Sequence, residues 1–311
     1  MDAKIVDFGV ALHAMNGKAN VGLGAAADLQ KERFKSAVAT FYDLSASASV
    51  SGEVWNWGMY DEVIDNQISA LIPGYNKHGS DGFSEQLYFF AVKAIPMKVR
   101  DYQNKRVLEV GSGLGYGLNF ISRIMDASFV GLDLSAAAIE RATAAFARRN
   151  VQFFQGDAEH LPFDTSEFDV VVNIESSHNY PDLGRFITEV GRVLKPGGYF
   201  SHADLYTRER HELLTTLKQS YNRLDWLSER DISQKVKSAI SKRLAPGSFF
   251  RNMRRAHSAA AQTPEELRKA EEHFSEAMFG AAFLLGQHFP SQAGSRSLAV
   301  QSYRHSLAIK V

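Results

Sequence analysis

Short apolar runs recur from residue 106 to residue 204, and they stop at acidic or amide side chains. Arg106–Val110, Ala127–Asp133, Val151–Gln155, Phe168–Ile174 and Gly197–Asp204 are too short for buried helices. Continuous runs of this length predict strands covered on both faces, as in a parallel sheet. The segments between them have helical character. Ser135 is a ready N-cap before Ala136-Ala-Ala-Ile-Glu-Arg-Ala-Thr-Ala-Ala-Phe-Ala-Arg-Arg149, a strong helix former with a basic last turn. Strand and helix therefore alternate, which predicts right-handed βαβ units. Upstream, Leu29, Phe34, Val38 and Phe41 fall at helical spacing, as do Phe83, Leu87 and Phe90. Residues 1 to about 23 are Gly- and Ala-rich and weakly patterned, a short helix or loose arm. Residues 208–290 read as helices without a strand, so a sixth strand finds no place there. Residues 301–310 read as a closing antiparallel strand. The expected divisions are 1–99 as a helical and aromatic cap, 100–206 as the core, 207–295 as a helical lid over an acceptor, and 296–311 as the strand that completes the core.

The first core strand runs into Glu109-Val-Gly-Ser-Gly-Leu-Gly115, an acidic residue followed by glycine at every second position. Glycines there let the backbone pass close to a ligand. A dinucleotide loop of the G-x-G-x-x-G type needs a third glycine at 116, where this protein has Tyr116. A nicotinamide-dependent reductase is disfavoured accordingly. About 20 residues past the glycines, the second strand ends at Asp133, where α/β nucleoside sites hydrogen-bond ribose hydroxyls.

With its acidic partner, the Glu-x-Gly-x-Gly-x-Gly turn resembles the S-adenosylmethionine loop of class I methyltransferases. Residues 41–205 are similar to methyltransferases of the small-molecule, natural-product type. Gly156-Asp-Ala-Glu-His-Leu-Pro-Phe-Asp164, Asn173-Ile-Glu-Ser-Ser-His-Asn-Tyr-Pro181 and Arg192-Val-Leu-Lys-Pro-Gly-Gly-Tyr-Phe-Ser-His-Ala-Asp204 especially resemble phthiotriolone ketone methyltransferases. Phe41-Tyr-Asp43, Trp57-Gly-Met-Tyr60 and Ser84-Glu-Gln86 resemble sterol, tocopherol and terpenoid methyltransferases. The resemblance implies an α/β, Rossmann-like, mostly parallel sheet with an antiparallel last strand, N-terminal helices and a helical lid insert. It implies S-adenosyl-L-methionine as cofactor, held by Glu109, Gly111, Gly113, Gly115, Asp133, Leu134, Asp157, Ala158, Asn173 and Gln86, with Asp157 and Ala158 at adenine. Residues 208–300 carry no such resemblance, and the acceptor is chosen there.

Methyl transfer from a sulfonium needs alignment and exclusion of water more than it needs catalytic side chains. A hydroxyl acceptor requires a base, and His178, just past the fourth strand, is the best-placed imidazole. An alkene acceptor leaves a carbocation; aromatic faces and a proton acceptor then come from Tyr42, Tyr60, Tyr180, Glu175 and His178. Trp57, Tyr180, His202, Tyr206, Phe249, Arg254 and Arg255 are the expected acceptor contacts. The plain alternative for the aromatics and for His202 is a core role.

Composition narrows the remaining classes. Thirty-five Lys and Arg balance 35 Asp and Glu, which gives no general attraction to nucleic acid. Cysteine is absent, so disulfides, thiolate metal sites and thiol nucleophiles are excluded, and no metal site is expected. No long uncharged apolar run predicts membrane insertion, and the opening residues lack the order of a secretory signal. A cytoplasmic enzyme on a small hydrophobic acceptor is the expectation, with a homodimer compatible with it. Between Ile232 and Gln262 there is no acidic residue, whereas seven basic ones fall there. That stretch is either a solvated face or a site for an anionic acceptor such as a prenyl diphosphate. An enzyme that methylates carbon in a prenyl group and also triggers cyclisation, and a silent binding subunit of the same fold, are the alternatives.

Overall fold

The computed structural model describes residues 25–48, 55–76, 80–248 and 300–311. Seven strands form one sheet: β1 (Arg106–Val110), β2 (Ser128–Asp133), β3 (Val151–Gln155), β4 (Phe168–Ile174), β5 (Leu194–Thr207), β6 (Leu224–Asp231) and β7 (Val300–Lys310). Their order is β3-β2-β1-β4-β5-β7-β6. β1 to β5 pair in parallel, and β7 inserts antiparallel between β5 and β6.

Eight α-helices accompany the sheet among the described residues: α1 (Ala25–Ala48), α2 (Glu62–Leu71), α3 (Phe83–Lys93), α4 (Tyr116–Ile121), α5 (Ala136–Phe146), α6 (Leu183–Val193), α7 (Arg208–Ser220) and α8 (Ser233–Leu244). Alternation along each strand sends neighbouring residues to opposite faces, so both faces must be covered. Val107 belongs to the core layer that holds Leu87 of α3, Leu118 of α4 and Val236 of α8. Leu108, the next residue, belongs to the opposite layer, with Phe186 and Val190 of α6 and Leu214 of α7. The Ser135 hydroxyl caps α5 as the sequence predicts, accepting from Ala138 N at 3.0 Å. No described helix is long and apolar enough to cross a membrane.

The helix-only expectation for 208–290 is corrected at β6. Leu224-Asp-Trp-Leu-Ser-Glu-Arg-Asp231 is largely exposed and carries four charged side chains. Charges suit an edge strand, where they discourage pairing with other molecules, but they erase the apolar run that marks a central one. β6 exists because β7 offers it a ladder. Residues 207–248 thus complete the sheet with a helix, a strand and a helix. The lid expected over the acceptor falls otherwise on 249–295, which, like the arm at 1–23, lies outside the described residues.

α1 lies across the carboxyl ends of β2 and β3. Phe34 and Val38 are buried against Leu134, and Lys35 Nζ meets Asp157 Oδ2 and Glu159 Oε2, each at 2.7 Å. Lys31 Nζ meets Asp182 Oδ2 at 2.7 Å. Asp43 Oδ1 accepts from Ser135 Oγ at 2.6 Å and from Ala137 N at 3.1 Å, fastening α1 to the start of α5.

The seam between β5 and β7 holds buried histidines. His202 lies opposite Ser306, and His305 lies opposite Ala203. Burial pushes His202 down to about 4 and His305 down to about 3. An unfolded polypeptide protonates these rings near the usual 6.5, so below that pH it takes up protons that the folded protein refuses. Stability is therefore expected to fall as pH drops from 6.5 towards 4, by roughly 1 kcal/mol per pH unit for each imidazole. Thermal unfolding across that window checks it: the midpoint should fall more steeply in the native protein than in His305→Asn. Equal slopes would refute the assignment to this ring.

Candidate active site

The carboxyl ends of the parallel strands and the inner side of α1 enclose a cleft of about 860 Å³, including its open mouth. The turn after β1 forms its floor. Gly111 has φ +77°, and a Cβ there would lie 2.2 Å from Ser176 Oγ. Any other residue would both strain the backbone and push away the loop after β4. Gly113 N donates to Asp133 Oδ2 at 2.8 Å, and Ser135 N donates to Asp133 Oδ1 at 2.9 Å. The two backbone bonds fix the Asp133 carboxylate at the end of β2. Burial nonetheless raises its pKa.

Asp133, Asp157, Glu159 and Glu175 line the cleft, and Lys35 is the one lysine or arginine among its lining residues. A surplus of carboxylate favours a cationic ligand. Trp55, Asn56, Tyr42 and Tyr180 add aromatic and amide surface. Asn56 Oδ1 and Ser112 Oγ, on two of the lining residues, are buried without a hydrogen-bond partner.

Glu175 follows β4 with φ +50°, a left-handed conformation that costs a non-glycine residue. Its Oε2 accepts from Trp57 N and from the Tyr303 hydroxyl, each at 2.9 Å. Burial pushes its pKa up to about 8.

Beside Glu175, a short 3₁₀ turn carries Ser177-His-Asn179. His178 Nδ1 lies 2.8 Å from Asp204 Oδ1, and His178 N donates to Asp204 Oδ2 at 3.0 Å. Asp204 also accepts from Ser177 Oγ at 2.5 Å. Burial, the largest single influence, tends to lower the His178 pKa and to raise that of Asp204, but the partner's charge, the hydrogen bonds and neighbouring charges together overcome it. His178 ends raised, and Asp204 is held down to about 2. Nε2 of His178 lies 3.0 Å from Asn179 Nδ2, which also donates to the Tyr42 hydroxyl at 3.0 Å.

The structure brings many of the expected site residues together and leaves others aside. Gly111, Gly113, Asp133, Leu134, Asp157, Ala158, Tyr42, Glu175 and Tyr180 line the cleft. Gly115 opens α4 from the same turn. Glu109 and Asn173 lie beneath it: Glu109 accepts from the Tyr88 hydroxyl at 2.5 Å, and Asn173 donates to Val110 O at 2.8 Å. Gln86 is corrected to a structural role, because its amide ties Asp61 N, Asp65 and the Tyr75 hydroxyl together away from the cleft. Tyr60 and Trp57 also fall outside the lining. Tyr60 packs on Phe83 with the Lys242 ammonium over its ring, and Trp57 reaches the site through its backbone alone. His202 and Tyr206 do not line the cleft either. Tyr206 lies within β5 rather than after it, and both are buried around Ser177 Oγ, at 2.8 Å and 2.5 Å. Phe249, Arg254 and Arg255 lie outside the described residues.

Lys35, Asn56, Ser112, Asn179 and Asp204 escape the sequence reading. A signal exists for Asp204 alone, a carboxylate within β5 level with the end of β4; the others depend on where loops and α1 pack. Among the described residues no group of three or more His, Asp or Glu is placed to hold a metal ion.

Sheet order, glycine turn and acidic strand ends together define a class I methyltransferase core. Residues 108–202 match the family model described as a methyltransferase domain, and the protein contains that domain. The phthiotriol/phenolphthiotriol dimycocerosates methyltransferase of Mycobacterium leprae is 43% identical over 139 residues, 44% of this sequence and 51% of that protein. A fatty-acid O-methyltransferase of Mycolicibacterium smegmatis is 37% identical over 181 residues, 54% of this sequence and 65% of that protein. The match thus spans about half the length of the first of these relatives. Among solved structures, geranyl diphosphate C-methyltransferase from Streptomyces coelicolor A3(2) superposes with TM-score 0.57 at 15% identity, covering 89% of this protein and 98% of that one. The StiE O-MT segment gives TM-score 0.56 at 18% identity, covering 88% and 90%. At such identities the likeness is one of fold.

The His178–Asp204 pair yields a direct prediction. Asp204→Asn removes the charge that raises His178 and leaves the burial that lowers it, so the ring should titrate about one to three pH units lower. NMR of the His178 ring measures this, and an unchanged midpoint would separate the two residues.

Proposed function

We propose that this protein transfers the methyl group of S-adenosyl-L-methionine to a hydroxyl of a hydrophobic, lipid- or polyketide-like acceptor. The observation that carries the reading is the His178–Asp204 pair beside a donor cleft lined by carboxylates. The cleft fits the donor: Asp133 suits ribose hydroxyls, Asp157 and Ala158 suit adenine, and the acidic lining suits a molecule with a sulfonium and an ammonium. Bound there, S-adenosyl-L-methionine supplies an electrophilic methyl group.

The protein's own part is positioning and proton removal. Asp204 takes the Nδ1 hydrogen of neutral His178 as a hydrogen bond, which leaves the Nε2 lone pair as the base. As the acceptor oxygen gains the methyl group, its proton passes to Nε2. The buried carboxylate of Asp204 then stabilises the imidazolium without being protonated, consistent with its depressed pKa. Glu175, at the wall of the cleft, gains a reason to ionise when a cation enters. The aromatic lining keeps water out. The lipid-linked and fatty-acid activities named for the two curated relatives support a long apolar acceptor.

A second reading, methylation of an isoprenoid double bond, has one observation behind it. Tyr42, Trp55 and Tyr180 line the cleft with Glu175, a set able to face a carbocation and remove a proton. The product decides. With methyl-labelled S-adenosyl-L-methionine, the label should appear on oxygen, and label on carbon beside a shifted double bond would establish the second reading. His178→Ala should lower turnover by roughly 10²- to 10⁴-fold and leave donor affinity nearly unchanged. Asp133→Ala should weaken binding of S-adenosylhomocysteine by about 1 to 3 kcal/mol in calorimetry, since it strands the ribose hydroxyls and Gly113 N. No binding of S-adenosylhomocysteine to the folded native protein would end both readings.

A further inference from the structure

Asn179 stands where the donor cleft, α1 and His178 meet. It lines the cleft, whereas His178 does not. Its amide nitrogen is 3.0 Å from the Tyr42 hydroxyl and 3.0 Å from His178 Nε2. An amide nitrogen carries two hydrogens, and these contacts use both. The orientation of the amide follows from Asp204. A carboxylate 2.8 Å from Nδ1 requires a hydrogen on Nδ1, so neutral His178 presents a lone pair at Nε2. That lone pair accepts from an amide N–H and would repel an amide oxygen.

We propose that Asn179 is a positioning residue that holds His178 in its Nδ1–H tautomer, covers the reactive Nε2, and ties this arrangement to α1 through Tyr42. The proposal rests on the reading of His178 as the base. It adds that the resting base is masked: an acceptor hydroxyl must replace the Asn179 amide on Nε2 before its proton can leave. It also links Tyr42, on the lining of the donor cleft, to a histidine bonded to the same amide. A shift of α1 that moves Tyr42 removes the second anchor of the amide and loosens its hold on the imidazole.

The groups that face His178 are Asp204 from β5, Glu175 from the end of β4 and Arg210 from α7. Across Asn179 lies Tyr42 from α1. Asp204 bonds Nδ1 and His178 N, while Nη2 of Arg210 donates to Ser177 O and Tyr180 O at 2.9 Å and 2.5 Å. Asn179 is the partner recorded at Nε2.

The test compares Asn179→Asp and Asn179→Ala in the full-length protein, reading the His178 ring nitrogens by NMR against pH with no acceptor present. In the native protein, above the midpoint, Nδ1 should carry the hydrogen and Nε2 should not. Asn179→Asp turns the donor into an acceptor and flanks the ring with two carboxylates, so the midpoint should rise by about one pH unit or more. Asn179→Ala, the smaller change if the aspartate variant folds poorly, should leave Nε2 open and lose the fixed tautomer. A midpoint and tautomer unchanged in both variants would overturn the proposal. The acidic limb of the methyl-transfer rate profile, which reports neutral His178, should move upward with the midpoint in Asn179→Asp. A shifted midpoint with an unshifted limb would uphold the grip of Asn179 on His178 while removing His178 as the base, so the two ideas fail separately.

Discussion

Carboxylates without matching cations shape this protein. Glu109, Asp133 and Glu175 sit at the carboxyl ends of strands, Asp204 lies within β5 level with the end of β4, water is largely excluded there, and burial raises the first three. Taking a charge from water is costly unless something compensates. Asp133 is compensated by two backbone N–H groups and Asp204 by His178 and Ser177. Glu109 and Glu175 receive neutral tyrosine or backbone donors, and both are pushed up to about 8. The cleft is therefore built to favour a positive guest, and a neutral nucleotide-like ligand would leave that electrostatic gain unused. The strain at Glu175 belongs to the same design, since the left-handed turn aims its carboxylate at the cleft instead of continuing β4.

Much of the core was readable from the sequence because it depends on local rules. Uninterrupted apolar runs mark β1, β2 and β4, which are covered on both faces, and the acid or glycine that ends each run marks the ligand edge. Ser135 announces the start of α5 by capping chemistry alone. β6 was hidden because an edge strand satisfies different physics: its charged residues prefer water, and its partner is far along the sequence. The antiparallel β7 was expected from the fold that the glycine turn and strand ends resemble, since Gln301, Ser302, Arg304, His305, Ser306 and Lys310 leave it no apolar run of its own.

The site divides in the same way. Gly111, Asp133 and Asp157 follow from their place at strand ends. His178 stood out as an imidazole just past β4, but its partners Asp204 and Asn179 become meaningful only when β5 lies beside β4 and α1 folds over the top. His202 and Tyr206 show what side-chain direction adds to position. Polar residues near a catalytic strand invite an acceptor role, yet both turn away to satisfy Ser177 in the interior. Gln86 is a similar case, a buried amide organising a loop.

The insertion of β7 has a consequence for the order of assembly. Tyr303, on β7, places its hydroxyl on Glu175, so the strand that closes the sheet also finishes the wall of the cleft. β5 ends at Thr207 and β7 begins at Val300, so joining them closes a long loop and sacrifices much conformational freedom before any ladder bond forms. A nascent polypeptide released as far as β6 would hold the glycine turn, Asp133 and the His178–Asp204 pair, yet β5 would present an open edge and Glu175 would lack its tyrosine. The wall of the cleft is thus finished late, and until β7 arrives the open edge of β5 is exposed to mispairing.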